Sequence, residues 1–169
     1  MDHDQTPPEP HPGLAAIAGR WHATGTVLDE PPVSITGTDT YTVLPGGHFL
    51  LHEVDVTVGG QSVETIEMIG EREPGGAAML ARSYDSSGWV TVMRLQIDDD
   101  GVWRFSGGSD MAPPAHDTGK TAKEAAVRST LRIAPDRSEM AALWERTEDG
   151  RNWLPWMDMH FTREDQVDQ

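Results

Sequence analysis

The feature that most constrains this chain is its punctuation. Tight-turn signals recur along it: "VGGQ" at 58–61, "EPGG" at 73–76, "DSSG" at 85–88, "DDDG" at 98–101 and "EDG" at 148–150. Glycine supplies positive φ, and aspartate and serine bond to nearby backbone, as hairpin turns require. Between these turns the segments alternate polar with apolar residues or are β-branched, which is the period of a strand. Strands are expected at about 20–28, 38–44, 48–58, 62–72, 77–84, 89–98, 101–107, 126–134, 138–147 and 153–163. Roughly ten strands joined by short hairpins predict an all-β fold, a single up-and-down β-barrel. A meander that wide curls and closes, which removes its exposed edges. Only "LAAIA", residues 14–18, reads as helical, one apolar turn suited to plugging an end.

A chain of 169 residues suggests one domain. "MDHDQTPPEPHPG" carries prolines at 7, 8, 10 and 12, so residues 1–13 are expected to form a disordered tail. The barrel domain is expected to run over 14–163, followed by an acidic tail at 164–169. Residues 106–125 are too long for a hairpin and too polar for a strand, so they read as a loop or lid. The chain has no cysteine, which excludes disulfides and thiolate metal sites and fits a cytoplasmic protein. Nothing near Met1 resembles a signal peptide, and no stretch is long and apolar enough for a transmembrane helix. The net charge of −15, from 28 acidic and 13 basic residues, would repel nucleic acid and anionic membranes. The expected partner is a small apolar molecule, with a homodimer left open.

Because side chains alternate across a strand, the apolar parity marks the inner face. In "NWLPWMDMHFTRE", residues 152–164, Trp153, Met157, Met159 and Phe161 share one parity and should point inward. His160 then faces out, unless a bulge shifts the register. The same test turns Trp89, Met93, Leu95 and Ile97 inward, and likewise Trp103 with Phe105, Val127 with Leu131 and Ile133, and Met140 with Trp144. In "GHFLLHEVDVTV" it places Leu50, His52, Val54 and Val56 inside, with His48 beside them. Tryptophan and methionine suit a flat apolar ligand if ten strands leave a cavity, and simply pack if they do not. For His52 alone the ordinary reading is a buried histidine bonded to a hydroxyl or carboxylate; the functional reading is a polar contact to a ligand.

Other motifs carry less. "TGKT", residues 118–121, lacks the upstream glycine of a phosphate loop, Pro114 standing in its place. His116 beside Asp117 has no third ligand at metal-site spacing. No Gly-x-Ser-x-Gly elbow is present to argue for a catalytic triad.

"GRW", residues 19–21, opens the first strand and Arg163 closes the last. This pattern resembles the calycin superfamily of lipocalins and fatty-acid-binding proteins. The resemblance implies a calycin-like barrel in which Arg163 packs across Trp21 at the closed end, a structural pair. "GTDTYTVLPGGHFLLHEVDVTVGGQSVETIEMIGER" with "SYDSSGW" is similar to an uncharacterised bacterial family of calycin-like barrels, over roughly residues 14–163. More distantly the chain resembles the nitrobindins, ten-stranded barrels that bind haem through a histidine near the C-terminus. That resemblance would give His160 the axial position, although "GRWHATGTV" lacks the run of glycines that lets haem approach in that family.

The expected function is binding of an apolar or aromatic ligand in a Trp/Met-lined cavity. Its lining would be His52, Trp89, Met93, Trp103, Trp144, Trp153, Met157 and Met159, with no catalytic residue, metal or cofactor assigned. A haem protein with His160 or His52 as axial ligand is the runner-up. A barrel cyclase or isomerase, folding its substrate by cavity shape, is the third reading.

Overall fold

The computed structural model describes residues 7–107 and 126–164. Ten antiparallel strands follow one another around a closed barrel: β1 (Gly19–Val27), β2 (Val33–Val43), β3 (Leu50–Val58), β4 (Gln61–Arg72), β5 (Met79–Asp85), β6 (Val90–Ile97), β7 (Trp103–Gly107), β8 (Ala126–Ile133), β9 (Glu139–Thr147) and β10 (Leu154–Arg163). Each strand pairs with the next in sequence, and β1 pairs with β10 to close the ring. The up-and-down all-β barrel read from the turn signals is the fold.

One end is plugged. A 3-10 turn, Pro12–Ile17, buries Leu14 and Ile17 and is capped by His11, whose Nδ1 accepts from the Gly13 N–H at 3.0 Å. It begins inside the segment expected to be a disordered tail: Pro12 presets its first φ, and the two apolar residues behind it are drawn into the core. Trp21 lies beneath, fully buried, and its Nε1 donates to the Ile17 carbonyl at 2.9 Å. The Arg163 guanidinium stacks 4.2 Å from the Trp21 ring centroid and donates to the carbonyls of Ala18 (2.6 Å) and Arg137 (2.7 Å). It therefore ties the plug to the β8–β9 turn.

Inward parity holds through most of the barrel. Leu50, Val56, Met93, Leu95, Trp103, Val127, Leu131, Met140, Met159 and Phe161 are buried. Two expectations fail. Trp89 is 57% exposed. It belongs to the turn held by Asp85, whose Oδ1 accepts from the Trp89 N–H at 3.1 Å, so strand alternation does not yet apply to it. Trp153 lies on the outer face with the Arg128 guanidinium 4.1 Å from its ring centroid. A bulge between Pro155 and Met157 reverses the parity upstream of it. β2 also begins at Val33 rather than near 38. Gly37, which reads as a turn residue, is instead an inward strand position where any Cβ would meet the backbone of Asp55 and Val56.

Candidate functional site

The end opposite the plug is where β1, β3, β5, β7 and β9 finish. Inward residues there (Val27, Val58, Val63, Trp144 and Met157) stay half-buried; at the plug end Trp21, Leu50 and Leu95 are sealed, while Val43, Ile97 and Ile133 are half-buried too. The loop or lid expected at 106–125 leaves β7 at Gly107 and returns at Ala126, both at the end opposite the plug; its residues 108–125 lie outside the described residues.

Polar groups gather on one side of this interior. Register pairs Tyr41 with His52 and His52 with Glu67, and Asp39 sits one inward position along β2 from Tyr41. His52 bridges two carboxylates, with Nε2 2.9 Å from Asp39 Oδ2 and Nδ1 3.0 Å from Glu67 Oε1. The Tyr41 ring stacks on the imidazole at 4.0 Å between centroids and 9° between planes. Burial alone would lower the His52 pKa, but hydrogen bonds and charge from Asp39 and Glu67 outweigh it and raise the pKa to about 9. Burial, then the charges of Asp39 and Glu67, push the Tyr41 hydroxyl well above its ordinary range. Asp39 Oδ1 is buried without a hydrogen-bond partner among the described residues. Side-chain exposures of 13% for His52, 15% for Glu67 and 7% for Asp39 make the cluster nearly buried on the inner wall.

Chemically this is a charged recognition group. Both nitrogens of His52 already face carboxylates, so the imidazole has no lone pair to offer as a base or as a metal ligand. Among the described residues no group of three His, Asp or Glu side chains is arranged to hold a metal ion.

The residues expected to line a cavity divide three ways. His52, Trp144 and Met157 face inward and are partly buried. Met93, Trp103 and Met159 face inward but are 4%, 1% and 8% exposed, packed in the core rather than presented to a ligand. Trp89 and Trp153 are outside. His160 points outward, its side chain 68% exposed, with Asp158 3.5 Å away. The bulge in β10 lies upstream of it and leaves its parity unchanged. Haem therefore does not fit either proposed histidine: one is outside the barrel and the other has both nitrogens occupied. Gly25, the glycine of β1 nearest that role, faces the Met159 thioether, which fills the space beside it.

Asp39, Tyr41 and Glu67 are not among the residues that the sequence singles out. The signal for two of them is present in "TGTDTYTV", where Asp39 and Tyr41 share the inward parity of Ile35. A concavity of about 520 Å³ also lies on the outer wall by Arg104, Arg128 and Glu145. Arg128 there is already held by Glu145 at 2.8 Å and Arg104 by Asp98 at 3.3 Å, so the unspent polar group is inside, not here.

The molecule is thus a closed ten-stranded barrel with a buried carboxylate–imidazole–carboxylate cluster on its inner wall. A family of proteins of unknown function, DUF1579, matches residues 6–76, the stretch that contains Asp39, His52 and Glu67. No curated protein matches the chain. Rv2717c from M. tuberculosis, a crystal structure, is similar in fold: TM-score 0.59 at 16% identity, over 92% of this chain and 99% of that one. A de novo designed fluorescence-activating β-barrel aligns over 90% of this chain and 97% of its own, at 11% identity and a TM-score of 0.47.

Proposed function

We propose that this protein is a small-molecule-binding barrel that takes an apolar or aromatic ligand through its unplugged end. The observation that carries this reading is the apolar inner wall left incompletely packed away from the plug: Val27, Val63, Trp144 and Met157 face inward yet remain half-buried, whereas Trp21 and its neighbours Leu14 and Ile17 are sealed. An apolar lining that water can reach gains free energy when a ligand displaces that water, about 25 cal/mol per Å² of apolar surface covered. Trp144 and Met157 supply the apolar wall and His52, with its two carboxylates, the polar contact. The same reading makes the barrel calycin-like, on the strength of the Trp21–Arg163 stack, and the cysteine-free chain a cytoplasmic protein.

The test is a titration with the uncharged probe N-phenyl-1-naphthylamine, followed by its fluorescence. Saturable one-to-one binding is expected, and Val63→Trp, which fills the lumen from its mouth without touching the plug, should abolish it. Binding that never saturates, or that Val63→Trp leaves intact in a variant that melts normally, would sink the reading.

A further inference from the structure

The lumen is polar on one side and apolar on the other. Asp39, His52 and Glu67 lie on β2, β3 and β4, and the inward positions beyond them are Thr65, Ser83 and Thr91. Away from them around the ring, β9 and β10 present Trp144 and Met157 on the inner wall. The charge of the polar side follows from its contacts. Each of the two His52 contacts needs one proton between nitrogen and oxygen. Whichever atom holds each proton, two protons shared among one imidazole and two carboxylates leave one net negative charge. The arginines of the neighbouring strands (Arg82, Arg94, Arg104, Arg128 and Arg132) alternate outward and do not offset it. Arg163 is committed to the Trp21 ring and two carbonyls at the plug.

A buried negative charge without a counter-ion is costly, and so is a buried oxygen without a donor. Asp39 combines both: it is 5% exposed and its Oδ1 has no partner among the described residues. A fold that keeps such a group on its inner wall has a place for a donor carrying positive charge.

We propose that the lumen selects ligands bearing a protonated nitrogen on an apolar or aromatic body, with the ammonium group at the Asp39–Glu67 edge and the body along Trp144 and Met157. This rests on the lumen being the binding site. It deepens that reading by giving the ligand a sign, opposite to that of a fatty acid, whose carboxylate this cluster would repel.

Three probes with one aromatic body separate the outcomes: 2-naphthylmethylammonium, 2-naphthalenemethanol and 2-naphthoate, titrated by calorimetry at pH 7. The ammonium compound is expected to bind about tenfold tighter than the alcohol, and the carboxylate more weakly than both. Asp39→Asn should lower the affinity of the ammonium compound about tenfold, toward that of the alcohol, and change that of the alcohol by much less. Glu67→Gln provides a second variant with the same expectation if Asp39→Asn does not fold. An alcohol or carboxylate that binds as tightly as the ammonium compound overturns the inference, as does an ammonium affinity indifferent to both variants; either leaves lumen binding standing. If none of the three binds and N-phenyl-1-naphthylamine also fails, the lumen reading falls and this inference with it.

Discussion

His52 owes its charge to two neighbours, and this makes it a pH-dependent part of the fold. Burial opposes the imidazolium, but Asp39 and Glu67 at 2.9 and 3.0 Å hold its pKa at about 9, against 6.5 for an unperturbed histidine. The stacked Tyr41 ring adds a cation–π contribution in the same direction. Since the folded pKa is the higher one, the native state binds more protons than the unfolded chain between these values. The stabilisation is complete below about pH 6.5 and is lost as pH rises through 9. Replacing His52 with glutamine removes that dependence and leaves two carboxylates facing an amide. Urea unfolding should find His52→Gln less stable than the parent by about 3 kcal/mol at pH 6, the cost of breaking a buried charged network. The deficit should shrink by about pH 9.5, above the folded pKa. A deficit of the same size at both pH values would show that His52 is not the titrating group.

Two strands depart from regular pairing, and each departure has a local cause. In β4 the register shifts between Ile69 and Glu71 at Gly70, which has φ +126 and faces the His48 carbonyl where a Cβ would lie. Gly60, in the β3–β4 turn, also has positive φ, +85, but open space around it. Alanine at either position bears the cost of a left-handed backbone, and at Gly70 it must also displace backbone. Gly70→Ala should therefore cost about 3 kcal/mol and Gly60→Ala about 1 kcal/mol in chemical denaturation. Equal costs would mean that β3 moves aside for the added methyl. The second bulge, at Pro155–Met157, marks where reading from sequence stops working. Turn residues and period-two alternation make strand number, topology and most inward faces legible, because both signals are local to a strand. Trp153 escapes that logic because a bulge adds a residue that alternation cannot count, and the start of β2 escapes it because an inward glycine looks like a turn. Tyr41, Asp39 and Glu67 become a site only through register: a histidine can be placed inside from its own strand, whereas its partners depend on how β2 and β4 align against β3.

Across the whole molecule the decisive quantity is charge. Ring closure by β1 and β10 leaves no free strand edge among the described residues, so no row of backbone donors or acceptors is offered along the sheet. The chain instead carries 28 acidic against 13 basic residues. Six arginines of the described strands are paired with carboxylates, at 2.6–3.3 Å, with arginine side-chain exposures of 42–61%. Pairs that exposed contribute about 0–1 kcal/mol each, and salt weakens them. Acidic groups in excess of basic ones repel one another across the barrel, and salt weakens that too. The two effects oppose each other, and the excess of 15 negative charges makes repulsion the larger. Raising sodium chloride from about 10 to about 500 mM shortens the Debye length from about 30 Å to a few ångströms, which suppresses repulsion between charges on opposite sides of the barrel more than contacts at about 3 Å. The urea midpoint at neutral pH is therefore expected to rise with sodium chloride. A falling midpoint would mean that the arginine pairs act as one cooperative network and outweigh the net charge, and Arg94→Gln and Arg128→Gln would then each cost more than an exposed pair is ordinarily worth.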